Sequence, residues 1–188
     1  MLCALMLDWH LGMVETIDGR PCPLGAADAL TLVRAWLVPV AWQHPSARVY
    51  ALAAVSDTLD GPLARRSEPT RAGRDLEGLV DACFAISALH GAREQDLIAR
   101  SAFRAESVRI AIGMLYGSSA YFIGIAAPNE TLLRAARPLS ALRMCGLLLA
   151  GTGRRRPASF LVGGGAIAST GVGIAAMLSL TRSEGTGS

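Results

Sequence analysis

Lysine is absent from this sequence: all 18 basic residues are arginine. Such a bias is what a GC-rich genome produces, and it carries no mechanistic weight. Charge of either sign is scarce, at 18% of residues, and the net charge of +3 is modest, so no nucleic-acid partner is expected. Four cysteines, Cys3, Cys22, Cys83 and Cys145, form no C-x-x-C pair and no Cys/His cluster, which argues against a zinc site and a disulfide framework. Cys83 and Cys145 stand in apolar runs and are expected to be small buried hydrophobes. The three histidines, His10, His44 and His90, are scattered and are expected to be solvated or structurally satisfied. The opening segment, MLCALMLDWHLGMVE, lacks a basic leader and a small-residue cleavage site, so no signal peptide is expected. GRPCPLG, residues 19–25, reads as a Pro/Gly-rich linker. The chain thus divides into an extension and linker, residues 1–25, and a main domain, residues 26–182.

What the sequence has in abundance is apolar surface. Hydrophobic residues are 52% of the chain, and with its 20 glycines the share is about 63%, against roughly 45–50% for soluble domains. A membrane-spanning helix needs about 20 mostly apolar residues. Residues 159–180 hold 22 without a charge and form the clearest span. Within it Gly165, Ser169 and Gly173 fall at i, i+4 and i+8, a small-residue stripe suited to close helix packing. Residues 110–127 give 18 more without a charge. Other apolar runs are shorter, and they reach membrane length only if the acids Asp57, Asp60, Glu77 and Asp81 belong to the helices. The expected architecture is all-α and polytopic, with about six transmembrane helices near 28–43, 46–65, 73–91, 105–127, 136–151 and 158–180. Arg65, Arg66, Arg71 and Arg74 then mark a cytoplasmic loop by the positive-inside rule, while Arg154, Arg155 and Arg156 fall on the opposite side.

Ionisable residues inside a membrane are costly and read as functional. In SDTLDGPLARR, Asp57, Asp60, Gly61 and Ala64 share one helical face at i, i+3, i+4 and i+7, with Arg65 beside them. Two carboxylates a turn apart can bridge a divalent cation. Gly61 and Ala64 are small enough to let a ligand approach, and Arg65 can meet phosphate bidentately. Pro62 is expected to free the Thr58 carbonyl. On the next helix Glu77 and Asp81, at i and i+4, again share a face. Four acids from two helices suit hard cations such as Mg²⁺ or Mn²⁺, and two such ions can clamp a diphosphate.

The pattern D-T-L-D-G-P-L-A-R followed by Gly73, Glu77 and Asp81 resembles the signature D-x2-D-G-x2-A-R-x8-G-x3-D-x3-D of the class I CDP-alcohol phosphatidyltransferase family. Asp57, Asp60, Gly61, Ala64, Arg65, Gly73 and Asp81 match its residue types. Two departures stand out: seven residues separate Arg65 from Gly73, one fewer than the signature has, and the third acid is Glu77. The segment DALTLVR, residues 28–34, resembles the N-x-x-T-x-x-R opening of the family's first helix, with Asp28 in place of Asn. ARPLSALR, residues 136–143, more loosely resembles a basic stretch at the start of its fifth.

The resemblance implies an enzyme of phospholipid synthesis in a cell membrane, bacterial, multi-pass, with its active site facing the cytoplasm and a possible homodimer. A small alcohol, glycerol 3-phosphate or inositol phosphate, would attack CDP-diacylglycerol and release CMP. By the same resemblance Asp57, Asp60, Glu77 and Asp81 hold two Mg²⁺ or Mn²⁺ ions, and Asp81 is also the base. Asp28, Thr31, Gly61, Ala64, Arg65 and Thr70 hold the CDP-lipid. Arg109, Arg137 and Arg143 are candidates for an acceptor phosphate. Glu77, the short loop and Asp28 also fit a catalytically degenerate descendant that binds lipid or acts as a scaffold. A cation or proton transporter is a third reading, and it has no use for the Gly61/Ala64/Arg65 face.

Overall fold

A computed structural model of the chain describes residue 20 and residues 25–65, 71–123 and 130–184. The described residues form six helices and no strand: α1 (Ala26–Gln43), α2 (Ala47–Ala64), α3 (Arg71–Glu94), α4 (Arg100–Ile123), α5 (Glu130–Gly151) and α6 (Arg155–Glu184). The expected helix count is met; α1 and α2 end within two residues of expectation, and the largest differences, of four to six residues, are at both ends of α4, the start of α5 and the end of α6. Helix α4 starts at Arg100 rather than 105 because Asp96, in the left-handed region at φ 56°, confines the break to residues 95–99. Helix α6 starts at Arg155 because Pro157 near its start does not disturb a first turn, where N–H groups have no helical partner.

The helices alternate in direction. Residues 44–46, 95–99 and 152–154 join them at one end of the bundle. Arg155 donates to Asp96 at 2.6 Å, the Ala99 N–H to Ser159 Oγ at 2.8 Å, and the Gln95 amide to the Gln43 carbonyl at 3.2 Å. Arg154, Arg155 and Arg156 belong to this knitted end. Arg65 and Arg71 lie at the other end of the bundle.

Two apolar clusters fill the bundle towards the knitted end. Leu37, Ala41, Val49, Tyr50, Ala53, Phe84 and Ala88 join α1, α2 and α3. Leu89, Ala92, Ile98, Ala102, Ile110, Ala150, Ala158 and Val162 join α3 to α6. Small residues let the backbones touch. A Cβ on Gly151 would meet the backbone of Ser46 and Ala47, and one on Gly91 would meet the Ala41 and Trp42 carbonyls. Gly151→Ala is therefore expected to cost about 1–3 kcal/mol as overpacking, read as a lowered thermal midpoint in detergent. An unchanged midpoint would mean that α5 and the α1–α2 turn are not this close.

Polarity is distributed unusually. The buried residues include Asp28, Thr31, Arg34, Ser56, Asp60, Ser87 and Glu106, whereas each of the six helices exposes large apolar side chains, among them Trp36, Leu52, Leu79, Leu115, Leu142 and Phe160. Among the described residues one segment, Arg155–Ala175, is long and apolar enough to cross a bilayer. The expected second span at 110–127 is helical to Ile123, and its remaining residues lie outside the described ones. Cys83 and Cys145 are exposed rather than buried, because both sit on faces turned away from the neighbouring helices. Cys3, Cys22 and His10 lie outside the described residues. His90 is held between aromatics, stacked on Trp42 at 5.2 Å and edge-on to Phe103 at 5.1 Å.

Candidate active site

The site lies where the buried faces of α1, α2 and α3 turn polar. On α1 the inward positions are Asp28, Thr31, Arg34, Leu37 and Ala41. On α2 they are Val49, Ala53, Ser56 and Asp60. Each face is apolar near the knitted end and polar beyond it, so the fold brings the polar halves together. Asp28 Oδ2 accepts the Gly25 N–H at 2.8 Å, capping the start of α1. The Thr31 hydroxyl donates to the Ala27 carbonyl at 3.3 Å, one turn back on its own helix.

Arg34 is the centre of the acid cluster. Its side chain is 2% exposed. Nη2 donates to Asp60 Oδ2 at 2.9 Å, Nη1 donates to Asp81 Oδ1, and Asp57 Oδ1 lies 3.7 Å from Nη1. Glu77, one turn before Asp81, is exposed and lies within electrostatic reach of Asp57, Asp60, Asp81 and Arg34. Three acids thus face one guanidinium, with Glu77 as a fourth charge nearby. Nε of Arg34 is buried without a partner among the described residues, so the group is held by its charge partners and not by a complete hydrogen-bond set.

Sequence reasoning assigns the four acids to the site but gives Arg34, the last residue of the DALTLVR pattern, no role in it. Among the described residues no three His, Cys, Asp or Glu side chains converge at metal-ligand spacing. The Arg34 guanidinium holds the point that Asp57, Asp60 and Asp81 face. The donors are all carboxylate oxygens, the type that Mg²⁺ and Mn²⁺ prefer, and a buried cation already stands among them. In donor chemistry the site fits a divalent cation, with Arg34 as the group that must yield its contacts.

Gly61, on the same helical face, is half-buried, and Arg65 Nη1 lies 3.5 Å from where a Cβ on it would be. The Arg65 guanidinium therefore folds back over the glycine. Pro62 does not break α2, which ends two residues later with the Arg65 N–H donating to the Gly61 carbonyl at 3.3 Å. The Thr58 hydroxyl donates to the Ala54 carbonyl at 2.7 Å. Thr70 and the side chain of Ala64 lie outside the described residues.

The three candidate arginines for an acceptor phosphate separate. Arg109 on α4 and Arg143 on α5 meet at one carboxylate, that of Glu106. Arg109 Nε and Nη2 donate to Glu106 Oε1 at 2.9 and 2.7 Å, and Arg143 Nε lies 3.3 Å from the same oxygen. Arg143 Nη1 also donates to Ser169 on α6, so the small-residue stripe of α6 packs on α5 at Gly165 and Ser169. Arg137, six residues before Arg143 on α5, is exposed and stands outside this cluster. Glu106 is the second residue that sequence reasoning misses. Its signal is an acid at i+4 between buried Ala102 and Ile110.

Both clusters open onto one cavity of about 960 Å³, whose walls include Arg34, Asp57, Asp81, Glu106, Arg109 and Arg143. A carboxylate group able to take a proton, a buried cation and a pair of guanidinium groups therefore face a common space large enough for a small-molecule substrate.

The sequence model of the CDP-alcohol phosphatidyltransferase family matches residues 24–115. The match covers α1 to α3 and the first two thirds of α4, and so takes in all four acids, Arg34, Glu106 and Arg109. The family is one of membrane-associated transferases of lipid biosynthesis, generally dependent on divalent metals, that move a phosphatidyl group from a CDP-alcohol. No curated protein and no solved structure matches the chain.

Proposed function

We propose that the protein is a multi-pass membrane enzyme that transfers the phosphatidyl group of CDP-diacylglycerol to a small phosphorylated alcohol, releasing CMP. The observation that carries this reading is the cavity shared by the acid cluster and by Arg109 and Arg143, within a chain matched to a transferase family. The multi-pass reading is supported by the polar interior and by the apolar side chains that every helix presents outward.

In this scheme Asp81 accepts the proton of the alcohol hydroxyl as its oxygen attacks the lipid-side phosphorus, the bond from that phosphorus to the CMP oxygen breaks, and CMP leaves. Asp57, Asp60, Glu77 and Asp81 hold two Mg²⁺ or Mn²⁺ ions. Bound there, such ions supply charge neutralisation at the diphosphate. Arg65, folded over Gly61, holds the cytidine diphosphate from α2, with Ala64, Thr70, Asp28 and Thr31 completing that side. Arg109 and Arg143 hold the acceptor's phosphate, with glycerol 3-phosphate ahead of inositol phosphate. The lipid tails stay in the bilayer, and the reaction end faces the cytoplasm.

The test is CMP release by the full-length protein in detergent, with CDP-diacylglycerol, Mn²⁺ and a panel of alcohols. Release with a phosphorylated alcohol, abolished by chelator and restored by Mn²⁺, is the expected result. A folded protein that releases no CMP with any alcohol would favour the degenerate, lipid-binding reading, for which Glu77 and the shortened loop are the motivation.

A further inference from the structure

The arginine pair is built differently from the rest of the cavity wall. Arg109 and Arg143 carry the same charge, come from different helices, and are held together through one oxygen. Nε and Nη2 of Arg109 donate to Glu106 Oε1, and Nε of Arg143 forms an ion pair with the same oxygen at 3.3 Å. The Glu106 side chain is 9% exposed, and its second oxygen, Oε2, is buried with no partner among the described residues. Ser169 takes Nη1 of Arg143. Among the described residues Nη1 of Arg109 and Nη2 of Arg143 have no partner. Two positive charges therefore face one negative charge, and the cluster keeps an unmatched positive charge beside the cavity. A cationic excess at a partly buried wall calls for an anion.

We infer that Glu106 is the positioning residue of a two-arginine anion subsite: its Oε1 sets the two guanidinium groups side by side, so that their remaining N–H groups form one fork for a phosphate monoester. This rests on the reading of Arg109 and Arg143 as acceptor-phosphate ligands and adds the group that gives them their geometry. Glu106 touches neither the phosphate nor the reacting atoms. Its reach matters more than its charge. An amide oxygen at the same place still accepts the arginine N–H groups, and losing the carboxylate removes a like charge near the bound anion. A side chain one methylene shorter keeps the charge and loses contact with at least one of the two helices.

The experiment is direct binding of inorganic phosphate to the full-length protein by calorimetry, beside kinetics with the acceptor identified from the alcohol panel. Glu106→Gln is expected to bind phosphate at least as tightly as the unaltered protein. Glu106→Asp is expected to bind it about tenfold more weakly, with a matching rise in KM for the acceptor and with kcat and the KM for CDP-diacylglycerol within about twofold, since a lost charge-assisted contact is of that order. Glu106→Ala serves as the second disabling variant if Glu106→Asp does not fold. Unchanged phosphate affinity in a folded Glu106→Asp or Glu106→Ala protein overturns the inference, and so does equal weakening towards both substrates. Phosphate binding that follows the expected order in a protein without turnover sustains the inference and rejects the reaction.

Discussion

Asp81→Asn is expected to lower CMP release by about 10²–10⁴-fold, the usual effect of removing a general base. Asp81 is the acid best placed for the role. It comes from α3, its side chain is 43% exposed, and it lines the cavity, whereas Asp60 is 7% exposed and paired to Arg34 at 2.9 Å. An amide cannot take a proton from the alcohol. The substitution leaves Arg34 its bond to Asp60, so the bundle should stay folded and its thermal midpoint should move little. The measurement is steady-state CMP release at saturating Mn²⁺, with the midpoint measured on the same sample. A folded Asp81→Asn protein that retains more than about a tenth of the activity would remove Asp81 from the base role and turn attention to Asp57, which also lines the cavity.

The second large effect is on stability. Arg34→Met leaves Asp57, Asp60 and Asp81 facing one another with no cation between them. Removing one partner of a buried ion pair costs about 3–5 kcal/mol. At roughly 2–4 °C per kcal/mol for a chain of this size, the midpoint in chelator should fall by about 10 °C. Added Mn²⁺ should recover much of that loss, because the acids then have a cation that does not depend on Arg34. Arg34→Lys should fall between, since an ammonium keeps the charge but cannot bridge two carboxylates through a planar fork. Thermal unfolding in chelator and in Mn²⁺ decides the matter. An equal loss in both conditions would mean that Arg34 acts as a packing residue and that the acids do not exchange it for a metal.

These two residues also mark where the sequence is legible. Asp81 stands in a spaced motif, and its helix and face follow from local periodicity. The small residues Gly165 and Ser169 are readable in the same way, as one stripe on one helix. Arg34 is legible only as the last residue of the DALTLVR pattern, with no partner and no role attached to it. Its partners lie 26 and 47 residues away, and no local pattern carries information over that distance. Glu106 is hidden for the same reason. It sits in a charged stretch, REQDLIARSAFRAESVR, in which one acid among many gives no sign that it faces inward. Helix ends are legible to within two residues at α1 and α2, where the apolar runs stop. They are not where a tertiary contact decides, as for the Arg155–Asp96 bond at the start of α6.

The alternation of the six helices has a consequence for the geography of the molecule. Ala26 and Glu184, the outer limits of the bundle, lie on the same side as Arg65, away from the knitted turns. If each helix crosses the bilayer, an even number of crossings returns the polypeptide to the compartment it started from. The halves of a split fluorescent protein, one fused ahead of α1 and one behind α6, would then meet and mature in the compartment where the chemistry takes place. A thiol label introduced at Thr152, in an exposed turn, would be reached only by reagents added from across the membrane.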